Sequence, residues 1–167
     1  AMCNLLALPQ LMRDICPPKV LPARNLSVVN LWAGGELMKN GLHYDATDNL
    51  LFQLRGRKRV LLFPPEDEPS LYYGPAQIRT HKLEVGAAEF GIANVTLAHK
   101  VRQNVAKLNI FDAQVEASHP KLKRTSPQLC ELDEGDALFL PKRWSHAVLS
   151  VSPEGRNLAV NMWFDGS

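Results

Sequence analysis

Six short segments rich in β-formers are spread along the chain: "NLSVVNLW" (25–32), "NLLFQL" (49–54), "KRVLLF" (58–63), "DALFL" (136–140), "HAVLSV" (146–151) and "NLAVNMWF" (157–164). Each is bounded by Gly, Pro, Asn or Asp, which stop strands and make turns. Many short strands in one compact unit have to close over a shared core, as a sandwich or a barrel. The front of the chain has another rhythm. Leu5, Leu8, Leu11, Met12 and Ile15 recur at helical intervals despite Pro9, until Pro17 and Pro18 end the pattern. Residues 74–127 hold no comparable strand, and the stretch 87–108 reads as helical. The expectation is one domain over 1–167: an N-terminal helical segment (1–24), an all-β core, and a partly helical insert (75–108).

Composition limits the classes open to this fold. With 167 residues, 46% hydrophobic and 22% charged, the chain is long enough for a real core. A net charge of +2 selects no class of partner. No run approaches transmembrane length, and the start lacks the charged and apolar regions of a leader peptide, so no membrane partner is expected. Cys3, Cys16 and Cys130 are odd in number and lack C-x-x-C spacing. That suits reduced thiols in an intracellular setting, cytoplasmic or nuclear.

Side-chain parity then singles out particular residues. In an extended segment residues i and i+2 share a face, so His43 and Asp45 point the same way with Tyr44 opposite. Two potential metal ligands converge there, although a surface histidine beside a turn aspartate gives the same pattern. In "RKRVLLF" Arg57 and Arg59 share one face, and Lys58, Val60 and Leu62 the other. Lys58 is thus a lone ammonium among aliphatic neighbours, costly to bury without an anionic partner. In the last segment Leu158, Val160, Met162 and Phe164 form an apolar face, while Asn157, Ala159, Asn161 and Trp163 form one suited to a polar pocket. A solvated outer face would explain the asparagines but would leave Trp163 in water. His146 opens another strand just after a proline stop. His81, His99 and His119 have no such setting.

Taken together, "LHYDATDNLLFQLRGRKRVLLFPPED", "GDALFLPKRWSHAV" and "LAVNMWFDG" resemble the JmjC-domain hydroxylases of the cupin superfamily. The likeness is to the branch holding the HIF-inhibiting asparaginyl hydroxylase, the arginyl hydroxylases and the tRNA wybutosine hydroxylase. It covers roughly residues 26–75 and 128–166. Lys58 lies fifteen residues after His43, and Asn161 fifteen after His146, as in that family.

The resemblance implies a double-stranded β-helix, or jelly roll, in which His43, Asp45 and His146 bind Fe(II) as a two-histidine, one-carboxylate facial triad. Such a triad leaves coordination sites free for a 2-oxo acid and dioxygen. Lys58 would pair with the distal carboxylate of 2-oxoglutarate. Asn40, Asn49, Asn161 and Trp163 would line the co-substrate pocket, and Asn30 and Trp32 would match an N-x-W strand of some members. The implied reaction is oxidative decarboxylation of 2-oxoglutarate to succinate and carbon dioxide, giving a ferryl oxidant that takes hydrogen from a C–H bond. A protein side chain is the expected substrate. A tRNA base, an N-methyl-lysine to be demethylated, or no reaction at all in a binding module are the alternatives. Family members also carry a strand ahead of the N-x-W strand with a tyrosine that contacts 2-oxoglutarate. Here that stretch is expected to be missing or replaced by the leucine-rich N-terminal segment. The insert holds Arg79, His81, Lys82, Lys100, Arg102 and Lys107 against Glu84 and Glu89, so it is cationic.

Overall fold

A computed structural model describes residues 2–19, 21, 26–74, 77–83, 95–101, 104–153 and 155–165. The chain forms eleven strands: β1 (Met2–Asn4), β2 (Leu26–Gly34), β3 (Leu37–Tyr44), β4 (Asp48–Arg55), β5 (Arg57–Phe63), β6 (Gln77–Leu83), β7 (Val95–Val101), β8 (Gln128–Leu132), β9 (Ala137–Leu140), β10 (Ser145–Val151) and β11 (Asn157–Phe164). Two antiparallel sheets hold nine of them, one in the order β1-β2-β11-β4-β9 and the other in the order β3-β10-β5-β8. Sequence neighbours such as β3 and β4 fall in different sheets, which is the jelly-roll pattern of a barrel wound from two sheets.

Three apolar clusters hold this arrangement together. Between the sheets lie Leu51, Val60, Leu62, Leu132, Leu140 and Ala159, with Trp32, Trp144 and Val148 at the margin. Outside the first sheet, Val29, Val160, Met162 and Phe164 are covered by Leu5 and Leu21 of the N-terminal segment. Outside the second sheet, Leu42, Phe63 and Ala147 are covered by Leu71, Ala106 and Leu122. Both faces of the central strands are therefore buried, and β11 carries apolar side chains on one face and polar ones on the other without exposing either.

Two expectations from the sequence are corrected. The N-terminal segment is helical only over α1 (Pro9–Met12) and a 3-10 turn at Leu5–Ala7. Pro9 has no N–H to extend a helix backwards, and Asn4 accepts from the Leu6 N–H at 3.0 Å to cap the turn. Ahead of it, β1 pairs with β2, with Cys3 opposite Leu31 and Asn4 opposite Asn30. An additional strand before the N-x-W strand is thus present, although "MCN" supplies no tyrosine.

The insert is the second correction. Residues 95–101, placed in a helical stretch by periodicity, form β7, which pairs along its length with β6 from Gln77↔Val101 to Leu83↔Val95. "VTLAHKV" has β-branched residues at both ends and a cross-strand partner, and pairing overrides a helical spacing that a seven-residue run defines poorly. Residues 84–94, 102 and 103 lie outside the described residues. The chain then returns to the barrel: the Ala106 N–H donates to the Leu42 carbonyl at 2.9 Å and the Tyr44 N–H to that of Asn104 at 3.0 Å. This return covers the edge of β3, with Val105 bridged to His43.

Candidate metal centre

β3 and β10 are neighbours in the second sheet, and their register sets His146 directly opposite His43. Their imidazoles lie side by side, ring centroids 4.3 Å apart. Asp45 follows the end of β3, and its backbone carbonyl is held by the Arg143 N–H at 2.9 Å. One ligand atom from each of His43, Asp45 and His146 falls within 4.8 Å of the others.

The two histidines are prepared in the same way. Nδ1 of His43 lies 2.7 Å from the Gly41 carbonyl, and Nδ1 of His146 lies 3.1 Å from the Trp144 carbonyl. A carbonyl only accepts, so each Nδ1 carries a proton and Nε2 is the nitrogen turned to a metal, the arrangement usual for metal-binding imidazoles. Burial pushes His146 down to about 4, repulsion from His43 adds to that, and Asp45 pulls the other way. At neutral pH its ring is therefore an uncharged donor. The Asp45 carboxylate is oriented through Oδ2, which accepts from the Trp163 indole N–H at 2.9 Å and from Asn49 Nδ2 at 3.2 Å. Asn49 in turn accepts from Asn161 at 3.1 Å, and Asn161 from the Trp32 indole at 2.6 Å. A relay of neutral groups across β2, β11 and β4 thus fixes the carboxylate from behind. The donor set, two imidazole Nε2 atoms and one carboxylate on one side, fits an ion of the Fe(II) type.

These groups face a cavity between the sheets, lined also by apolar Leu51, Leu140 and Val148. At its far end Lys58 is buried and donates from Nζ to Ser150 Oγ at 2.7 Å and Asn157 Oδ1 at 2.8 Å. The aliphatic surroundings read from the sequence are corrected here: Lys58 has polar partners, both of them neutral. Burial pushes its ammonium down to about 8.

Of the residues singled out in the sequence, His43, Asp45, His146, Lys58, Asn40, Asn49, Asn161, Trp163 and Trp32 all line this cavity. Asn30 does not; it is buried further along β2, opposite Asn161. Asn40 reaches the cavity by a device that parity does not foresee. The register steps from His146↔His43 to Val148↔Asn40, so Gly41 and Leu42 stand opposite the single residue Ala147. This bulge brings Asn40 and His43, three apart, to one face. Ser150 was missed, although His146, Val148 and Ser150 share a face at spacing two and all line the cavity. His119 lies elsewhere, edge-on to Tyr72 at 4.8 Å.

The profile of the family described as "Cupin-like domain" matches residues 3–167. The chain belongs to the cupin-like domain family. Two of the proteins it is similar to carry JmjC names. It is 33% identical over 161 residues to "Lysine-specific demethylase JMJ31" of Arabidopsis thaliana, covering 94% of this chain and 24% of that protein. It is 34% identical over 144 residues to "tRNA wybutosine-synthesizing protein 4" of Aspergillus oryzae, covering 86% of this chain and 10% of that protein. This cupin-like chain therefore spans a quarter or less of the length of these two relatives. Among solved structures, E. coli ycfD superposes with a TM-score of 0.49 at 16% identity, over 99% of this chain and 33% of that one. Among the described residues, no helix is long and apolar enough to cross a membrane.

Proposed function

We propose that this cupin-like domain is an Fe(II)- and 2-oxoglutarate-dependent oxygenase that hydroxylates a protein side chain. One observation carries the reading. A histidine, an aspartate and a second histidine converge at one part of a cavity whose other end holds a buried ammonium with only neutral partners among the described residues. A ligand that bridges the two has a metal-chelating end and an anionic end, which describes a 2-oxo dicarboxylic acid.

In this reading His43 and His146 offer Nε2, and Asp45 offers the carboxylate that Trp163 and Asn49 orient. When bound, iron would supply the activation of dioxygen, with 2-oxoglutarate as the two-electron reductant; one oxygen atom enters succinate and the other the substrate C–H bond, with carbon dioxide released. Lys58 would hold the distal carboxylate, and Leu51, Leu140 and Val148 would keep water from the reacting end. Free Cys16 and Cys130 accord with an intracellular setting.

The reading is tested by incubating the protein with Fe(II), 2-oxoglutarate and a cell extract, then measuring succinate and searching proteins for mass gains of about sixteen daltons, one oxygen atom replacing none. A name among the relatives favours a second reading, removal of N-methyl groups from lysine, which would release formaldehyde from methylated peptides. A tRNA base as substrate would put the mass gain on nucleosides instead.

A further inference from the structure

The floor of the cavity contains a hydrogen-bonded array that the metal site does not use. Asn157 opens β11, is buried, and its amide orientation is fixed: Nδ2 donates to the Arg57 carbonyl at 2.9 Å, so Oδ1 must face the other way. Oδ1 accepts from Lys58 Nζ at 2.8 Å and from Gln53 Nε2 at 3.3 Å. Gln53 is itself fully buried, and its Nε2 also donates to the Arg55 carbonyl at 2.6 Å. The turn between β4 and β5 is shaped to admit this array. Gly56 has φ +77, and a Cβ there would stand 2.8 Å from Asn157 Nδ2. An ammonium has three N–H donors. Among the described residues Asn157 and Ser150 take two, Asn157 in a direction set by the Arg57 carbonyl, and the third is left for the cavity that Lys58 lines.

We propose that Asn157, backed by Gln53, is a positioning residue that aims the Lys58 ammonium at the co-substrate and leaves its charge uncompensated. This rests on the reading of Lys58 as the partner of a dicarboxylate. An amide accepts a hydrogen bond without supplying a charge, so the full positive charge stays available to the incoming anion. A carboxylate of the same shape would accept the same hydrogen bond and neutralise the lysine from inside the fold.

The test compares Asn157→Asp, Asn157→Ser and Lys58→Met with the wild type, full chain, loaded with Mn(II), by calorimetric titration of 2-oxoglutarate. Metal content and thermal melts are recorded for each. Asn157→Asp should weaken binding tenfold or more at pH 7 with metal content unchanged, and the pH above which binding fades should move upwards. Asn157→Ser, too short to reach Nζ, should weaken it several-fold without moving that pH. In the Lys58→Met background Asn157→Asp should add almost nothing. Unchanged affinity in both Asn157 variants, with Lys58→Met weakened, overturns the positioning role and leaves the co-substrate reading standing. Unchanged affinity in Lys58→Met overturns that reading itself. Should Asn157→Asp fail to fold, the Asn157→Ser titration and its pH profile decide alone.

Discussion

The indole N–H of Trp163 donates to Oδ2 of Asp45 at 2.9 Å across 118 residues of sequence. The contact ties the last strand of the first sheet to the ligand-bearing end of the second. It fixes how the carboxylate is presented to His146, whose Nε2 lies 3.9 Å from the same oxygen. Trp163→Phe keeps a large ring but removes the donor. Loss of such an outer hydrogen bond typically costs 10- to 100-fold in metal affinity. We expect a fall of roughly tenfold or more in Fe(II) or Mn(II) affinity by titration, with the fold intact by circular dichroism.

Removing a ligand itself should do more. Asp45→Ala leaves two imidazoles and should bring bound metal, read by elemental analysis after dialysis, to background. His119→Ala, away from the cavity, should leave it at the wild-type level. Equal metal in wild type and Asp45→Ala would refute the triad.

Lys58 makes a prediction about pH. Burial lowers its folded pKa from 10.5 to about 8. Between these values the unfolded chain holds a proton that the folded chain has released, so this group makes stability rise with pH across the window and imposes its full penalty below about 8. Denaturant midpoints of the ligand-free protein, measured from pH 7.5 to 10, should therefore rise relative to those of Lys58→Met, whose side chain does not titrate. The affinity for 2-oxoglutarate should run the opposite way and fade above about pH 8, since the anion needs the charged amine. Lys58→Met should cost roughly 2 kcal/mol of that affinity at pH 7, the scale of a charged hydrogen bond lost from a buried site.

The β6–β7 ribbon leaves the barrel after Gly74 and returns at Asn104, beside His43. Loops at a barrel rim choose substrates. Replacing residues 77–101 with a short glycine linker, while keeping the 104–106 segment that covers β3, should abolish hydroxylation of the natural substrate. Slow substrate-free succinate formation should persist. Full activity of the shortened protein would show the ribbon to be dispensable for recognition.

How much of this was legible in the sequence follows from local rules. β4, β5, β10 and β11 were readable because each is a short run of β-formers between turn residues, and in β5 and β11 the alternation of side chains turned Lys58 and Asn161 inwards. β3 was not, because "LMKNGLHY" runs along a sheet edge with its first five residues exposed, so burial imposes no period on it. The bulge at Gly41–Leu42 then shifts the phase, and only the family's spacing pointed to Asn40. The partners of Lys58 escaped because Ser150 and Asn157 lie 92 and 99 residues away, and no short-range pattern reports a contact of that span. β7 was misread because seven residues suit either period until a partner strand decides between them.

The order of strands has a consequence for how the chain matures during synthesis. β10 lies between β3 and β5, and β11 between β2 and β4. Until these two arrive from the ribosome, both sheets stand split, with long-range pairings still to be closed. His43 and Asp45 emerge early, but the third donor, His146, enters only as β10 zips into its gap. An unfinished chain thus presents at most a two-donor site. On the iron reading proposed above, firm capture of the ion would wait until the walls that shield it are in place.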